Sequence, residues 1–116
     1  MIRARLILVL LIFLLSTAAK AGSTVENIRV WSENEKTRVV LDLSHSTDHN
    51  IFTLRGPDRL VIDLKDSRLA ESLDVLPKGA GSVRSIRSAI RSNGQLRVVL
   101  DLTKGVHSKS FRAGPN

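Results

Sequence analysis

Cysteine is absent from this 116-residue chain, and proline and aromatic residues are scarce: three prolines, three phenylalanines, one tryptophan and no tyrosine. Without cysteine, no disulfide can cross-link the core and no thiol can accept a lipid. Few aromatic rings argue against a nucleic-acid-binding protein, although the formal net charge is +7. No Gly-x-Ser-x-Gly elbow occurs, so the usual motif of a serine nucleophile is missing. These absences favour a binding module without catalytic residues.

The N-terminal residues have the pattern of a secretory signal peptide. Arg3 and Arg5 precede an unbroken apolar run at residues 6–15, LILVLLIFLL. Ten residues are too few to cross a hydrocarbon core of roughly 30 Å, which needs about 20 helical residues, so a stable membrane anchor is the weaker alternative. A single residue separates the two arginines, so the twin-arginine signal is not present in its usual form. We therefore expect export to the periplasm through the general secretory route.

Cleavage of this signal is predicted between Ala21 and Gly22, because residues 19–21, AKA, have the small-x-small pattern that signal peptidase reads. Cleavage after Ala18 is the alternative. The signal peptide would then be residues 1–21 and the mature chain residues 22–116. A chain of this length can build one modest core and no second domain.

Three segments of the mature chain repeat one six-residue pattern: residues 38–43 (RVVLDL), 59–64 (RLVIDL) and 97–102 (RVVLDL). Their β-branched and aliphatic composition predicts strands. The second, fourth and sixth positions form an apolar face, and Arg, Val and Asp occupy the other. An Arg and an Asp four residues apart on a strand are on the order of 13 Å apart, so we expect each to pair with a neighbouring strand.

The repetition extends beyond these strands to a unit of nearly sixty residues. Turn-prone stretches at 33–36 and 92–95 each precede an RVVLDL strand, and the second contains Asn-Gly, the strongest short hairpin signal. The segment 52–58, FTLRGPD, is echoed by 111–116, FRAGPN. This predicts an all-β fold built from a duplicated four-strand unit whose last strand is missing, as in a truncated fragment. Residues 66–82 are expected to be a connector with at most one short helical turn.

The blocks IRVWSENEKTRVVLDLS, FTLRGPDRLVIDLKDSRL and GAGSVRSIRSAIRSNGQLRVVLDL resemble the AMIN domain, and the resemblance covers residues 25–116. That domain precedes the catalytic part of periplasmic N-acetylmuramoyl-L-alanine amidases and occurs in some secretins. The resemblance implies a β-sandwich of two pseudo-symmetric sheets and a non-catalytic module that binds peptidoglycan. The alternative is a protein-docking module that recruits its host to a divisome or secretin complex. Whether the intact parent is such an amidase stays open.

The amidases that carry the AMIN domain have a zinc-dependent catalytic domain, so the resemblance makes the histidines of this chain the first candidates for metal ligands. No His-Gly-Gly motif is present. His45 and His49, with Asp48 between them, are close enough in sequence for a metal site, but they are expected in a polar loop. A solvated loop is the favoured interpretation, and neither a metal site nor a cofactor is predicted.

Ligand contacts are predicted on the first arm of each hairpin. The candidates are Arg29 and Trp31 in the first copy, and Arg84, Arg87 and Arg91 in the second. Guanidinium groups bind carboxylates bidentately, and the stem peptides of peptidoglycan carry carboxylates. An indole can stack on a sugar ring, although a lone Trp is more often a partly buried cover of the core.

Overall fold

The computed structural model describes residues 22–103, which form a β-sandwich of two packed sheets with seven strands. This confirms the predicted all-β fold class. Predictions for the signal peptide, its cleavage at Ala21, and the segment 111–116 involve residues outside this range. Within residues 22–103, no helix is long and apolar enough to span a membrane. The strands are β1 (Ser23–Glu33), β2 (Lys36–Leu43), β3 (His49–Leu54), β4 (Arg59–Leu64), β5 (Ser67–Leu69), β6 (Val83–Ile90) and β7 (Leu96–Leu102).

The strands divide into a three-stranded sheet A and a four-stranded sheet B. Sheet A has the order β2-β1-β5, and sheet B has the order β3-β4-β7-β6. All pairings are antiparallel except β1 with β5, which is parallel. The three RVVLDL-type segments lie in β2, β4 and β7, as predicted, and the aliphatic residues at their second, fourth and sixth positions face the core between the sheets. The most deeply buried core side chains are Val25, Val98 and Leu96, at 0%, 0% and 1% exposure.

The two predicted hairpin turns are both present. Asn34 and Glu35 connect β1 to β2 with positive φ angles of 52° and 63°, the two-residue geometry whose twist suits a hairpin. The β6–β7 turn places Gly94 at a φ of 81°, and its N–H donates to the Arg91 carbonyl at 2.9 Å. Glycine fits there because the left-handed region is costly for residues with a Cβ.

The internal repeat is visible in the backbone. Hairpin β1–β2 of sheet A corresponds to hairpin β6–β7 of sheet B, and both contain a register shift near the start of the first strand. The shifts fall between Val25 and Asn27 in β1 and between Val83 and Ser85 in β6. Strand β4 covers the outer edge of β7.

The connector at 66–82 differs from its prediction because it contains β5. This strand pairs with the start of β1, and the Ser23 N–H donates to the Asp66 carbonyl at 3.0 Å. Three residues are too few to show a periodic pattern in the sequence, and the strand forms by pairing with the edge of β1. The single helical turn is confirmed as a 3₁₀ turn, Glu71–Leu73, which buries Leu73.

Candidate functional site: a basic face on sheet B

The outer face of sheet B is built from the Arg and Asp positions of β4 and β7. The two strands run antiparallel with their Arg-x-x-x-Asp patterns in register, so Asp63 lies opposite Arg97 and Arg59 lies opposite Asp101. Asp63 and Arg97 pair across these strands as the strand spacing predicts, whereas Arg59 donates from Nε to the Pro57 carbonyl at 2.9 Å and Asp101 is bound by Arg87 of β6. Alternate residues of the same strands point into the core and fix this orientation.

Asp63 and Arg97 form the most buried ion pair described in the structure. Nε and Nη2 of Arg97 donate to the two carboxylate oxygens of Asp63, each at 2.8 Å, and the Asp63 side chain is only 6% exposed. The hydrogen bonds from Arg97 hold the pKa of Asp63 below its usual value, although burial acts in the opposite direction. The Arg97 guanidinium also lies 5.6 Å from the centre of the Phe52 ring on β3, a cation–π distance.

A second pair joins β6 to β7. Nε and Nη2 of Arg87 donate to Asp101, both at 2.8 Å, and the Ser85 hydroxyl donates to the same carboxylate at 2.8 Å. These bonds, with the nearby charge of Arg84, lower the pKa of Asp101 to about 2. The same contact raises the pKa of Arg87. Both aspartates of this face are therefore ionised at neutral pH and held by arginines.

The two equivalent hairpins carry very different charges. Hairpin β6–β7 has four arginines and one aspartate, whereas hairpin β1–β2 has three basic and four acidic side chains. We call the surface formed by Arg59, Arg84, Arg87, Arg91 and Arg97 the basic face. The charge of Arg91, in the turn, lies close enough to Asp63 to help lower the pKa of that carboxyl. Four of these arginines thus surround the two aspartates, and Arg59 lies opposite Asp101. Such a surface can bind anionic groups such as carboxylates.

The candidates on the first hairpin lie elsewhere. Arg29 and Trp31 are on the outer face of sheet A, on the opposite side of the sandwich. Nη2 of Arg29 lies 3.1 Å from Oδ1 of Asp42, and Nε1 of Trp31 donates to Glu33 at 3.3 Å. Trp31 is 36% exposed, as a partial cover of the sheet would be.

The structure therefore brings together three of the five sequence-predicted candidates, those of the β6–β7 hairpin, and separates the other two from them. The ligand-binding role of all five stays a prediction. Phe52, Arg59 and Arg97 were not identified as site residues from the sequence. The Arg-x-x-x-Asp pattern was a signal for the two arginines, but the position of Phe52 follows from the β3–β4 register, which places it opposite Val61.

The histidine region is placed partly as expected. His45 lies in a bend after β2, and its Nδ1 is 3.0 Å from the Ser44 hydroxyl. His49 is the first residue of β3, so its assignment to a loop was wrong; pairing with Leu64 extends the strand to it. Across residues 22–103, no group of three or more His, Cys, Asp or Glu side chains could hold a metal ion.

Comparisons with known proteins agree on one family. The model of the AMIN domain matches residues 27–115. An N-acetylmuramoyl-L-alanine amidase AmiC from Neisseria meningitidis serogroup B is 29% identical over 91 residues, which are 75% of this chain and 22% of that protein. The Escherichia coli O6:H1 amidase of the same name is 30% identical over 102 residues, 82% of this chain and 24% of that protein. The chain thus spans about a quarter of the length of these curated relatives.

Proposed function

Because this chain belongs to the AMIN domain family, we propose that it is a non-catalytic module that binds peptidoglycan and holds its host protein at the cell wall. The host that fits best is an N-acetylmuramoyl-L-alanine amidase, since both relatives carry that name. An amidase of that name acts on the bond between muramic acid and the stem peptide, so a wall-binding module would keep it near its substrate. The signal-peptide pattern of residues 1–21 supports a periplasmic location.

The charge contrast between the two hairpins is the observation that supports the basic face as the contact surface. Hairpins β1–β2 and β6–β7 are equivalent in the internal repeat and have the same fold, and they differ mainly in their outward-facing residues. Of these two, only β6–β7 has a clear excess of positive charge. The stem peptides of peptidoglycan present carboxylates, which guanidinium groups bind in a planar, bidentate manner. The charge excess therefore matches the ligand.

The arginines of the basic face divide into two roles in this proposal. Arg87 and Arg97 are held by their aspartates and keep the face rigid. Arg84 and Arg91 are exposed beside those pairs, and we assign the direct contacts with the polymer to them. The module acts by adhesion, without breaking a bond, so it needs neither a metal nor a cofactor.

Binding of this kind is sensitive to salt, because exposed charges are screened beyond roughly 8 Å at physiological ionic strength. The test is co-sedimentation of the protein with purified peptidoglycan sacculi over a series of salt concentrations, with circular dichroism to confirm folding. The protein is expressed from its full sequence, and the form that the cell has processed is purified and used in the assay. We expect the bound fraction to fall as salt rises.

Two matched double variants locate the contact. R84Q/R91Q removes two positive charges from the basic face, and K36Q/R68Q removes two exposed charges from sheet A. We expect the first to weaken binding about five- to tenfold, at about 0.5–0.7 kcal/mol per exposed charge, and the second to bind as the parent does. Equal effects of both variants would contradict the assignment to the basic face. A folded parent that stays in the supernatant would instead favour a protein-docking role.

A further inference from the structure

The outer face of sheet B carries apolar side chains between its charged positions. Val61 of β4 and Val99 of β7 lie opposite each other and point outward, like the Arg and Asp residues of the same strands. Phe52 of β3 lies opposite Val61, and Leu54, two residues further along β3, points to the same face. We call the surface formed by Leu54, Phe52, Val61 and Val99 the apolar strip.

Burial differs along the strip in a way that leaves part of it accessible. Val61 is only 2% exposed, although it points away from the space between the sheets and lies outside the core cluster that the described residues form there. In contrast, Leu54 is 38% exposed, and Phe52 and Val99 are half-buried. The strip therefore has a packed centre and an apolar surface that a ligand can reach on both sides of it.

Arginine side chains border the strip. Arg97 is two residues from Val99 on β7, and its guanidinium lies 5.6 Å from the centre of the Phe52 ring. Arg87 of β6 is directly opposite Val99, and its two hydrogen bonds to Asp101 hold it in place. Side chains that are directly opposite in a sheet have Cβ atoms about 5 Å apart. A group that packs on Val99 would therefore lie one side chain away from a cation.

Arg84 is the cation of this region with the weakest contact. It is the extra residue at the register shift of β6, and its charge is close enough to Asp101 to help lower the pKa of that carboxyl. Nη2 of Arg84 donates to the Leu102 carbonyl at 3.4 Å, which is longer than the usual range of about 2.7–3.2 Å. Exchange of this contact for a charge-assisted hydrogen bond to a carboxylate would therefore be favourable.

A small apolar surface beside a guanidinium group matches one part of peptidoglycan. Its stem peptides end in alanine, which has a methyl group and a carboxylate on the same carbon atom. We propose that the apolar strip takes this methyl group and that Arg84 binds the carboxylate, beside the fixed guanidinium of Arg87. This inference rests on the proposed binding to peptidoglycan and names the part of the polymer that the basic face recognises.

The length of the strip favours a peptide as its ligand. The strip crosses β3, β4 and β7, so at a strand spacing of about 4.8 Å it is roughly 10 Å long. An extended peptide advances about 3.3 Å per residue, so two or three residues fit along it. The lactyl group of muramic acid also has a methyl group beside its carboxyl carbon, but it is attached directly to a polar sugar ring. The apolar strip suits the peptide better.

This recognition would have a consequence for an amidase host. The amidase reaction removes stem peptides from the glycan strand, and with them the proposed ligand of the module. The module would therefore hold its host on wall that still carries stem peptides and would release it from wall that has lost them.

The proposal is tested by following backbone amide shifts in nuclear magnetic resonance spectra as N-acetyl-lysyl-D-alanine is added to the protein prepared as for co-sedimentation. We expect a dissociation constant on the order of 1 mM. Replacement of the terminal alanine by glycine should weaken binding about fourfold, the contribution of one buried methyl group. A terminal amide in place of the carboxylate should weaken binding about fivefold, because Arg84 loses a charged partner.

Two variants and one matched control assign these preferences to residues. V99T keeps a β-branched side chain but makes the strip polar, so it should bind the alanine and glycine peptides equally. The control is V40T, because Val40 lies opposite Arg29 on sheet A as Val99 lies opposite Arg87 on sheet B. V40T should keep the preference of the parent. R84Q should no longer distinguish the carboxylate from the amide.

Each preference is a ratio of two affinities measured on one folded variant, so a loss of stability alone does not change it. A second measurement compares intact sacculi with sacculi from which an amidase has removed the stem peptides. We expect only the intact sacculi to pellet the protein in a salt-sensitive manner.

Four results would overturn the inference: no binding of the alanine peptide, equal binding of the alanine and glycine peptides by the parent, a preference for alanine that V99T retains, or equal binding of intact and stripped sacculi. With intact sacculi still bound, any of these results would leave peptidoglycan binding in place and refute only the recognition of alanine. Failure to bind intact sacculi would refute the proposed function as well.

Discussion

Removal of the Arg97 side chain should reveal how much the basic face depends on its most buried ion pair. The substitution R97Q leaves the Asp63 carboxylate, 6% exposed, without the two 2.8 Å hydrogen bonds that hold it. Loss of one partner of a fully buried pair costs about 3–5 kcal/mol. Because Arg97 is itself 29% exposed and water can reach the site, we expect a loss of about 2–3 kcal/mol in the free energy of unfolding.

The measurement is urea denaturation at low micromolar concentration, followed by circular dichroism. The expected loss corresponds to a decrease of about 10–20 °C in the melting temperature of a domain of this size. The pKa of Asp63 is lowered in the folded state, so its contribution to stability is present above about pH 4 and is lost as the pH falls below that. The difference between parent and R97Q should therefore be largest at neutral pH and shrink at about pH 3.

The internal repeat supplies a matched control. Arg38 is the equivalent residue of β2, but its contact with Glu33 is exposed, so R38Q should cost less than about 0.5 kcal/mol. A second control, the double variant R97Q/D63N, should be more stable than R97Q alone, because a neutral amide replaces the unpaired carboxylate. The reasoning is refuted if R97Q and R38Q cost the same, or if the cost of R97Q does not change with pH.

Three further outcomes are expected. As the pH falls from about 4 to about 2, D101N should lose less of its free energy of unfolding than the parent does, measured by urea titration at each pH. The reason is that Arg87 lowers the pKa of Asp101 to about 2 in the folded protein, so the parent loses the stabilisation from this carboxylate over that range. Equal dependence of stability on pH in the two proteins would contradict this. L96A should cost about 3 kcal/mol in the same assay, since Leu96 is 1% exposed and the substitution leaves a cavity; a cost below about 1 kcal/mol would place this residue outside the core. G94A should lower the stability measured by thermal melting by about 1 kcal/mol, because a φ of 81° is unfavourable for alanine. No steric clash adds to this cost, since the nearest atom to the new Cβ would be 3.6 Å away. A neutral result would mean that the turn adopts another conformation.

Much of the fold could be predicted from the sequence because its signals are local and repeated. The strands β2, β4 and β7 each show alternation and β-branched composition, and Asn93-Gly94 marks the turn before β7. Strand β5 could not be predicted, since three residues show no period and the strand forms only against β1.

The candidate site was predicted only in part, for a physical reason. Period-2 alternation indicates which residues of a strand point outward, and Arg29 and Arg87 both do so. It cannot tell which sheet a hairpin joins, because that depends on pairing between distant strands: β7 pairs with β4, and β2 does not. The same long-range register brings Phe52 close to Arg97.

The most direct test of peptidoglycan binding by the basic face is the pattern of backbone amide shifts in nuclear magnetic resonance spectra as soluble peptidoglycan fragments are added. We expect the largest shifts in β6, in the β6–β7 turn and in β7, around Arg84 and Arg91, with little change in β1 and β2. Shifts concentrated around Trp31 and Arg29 on sheet A, or no shifts at concentrations where sacculi bind, would contradict the account.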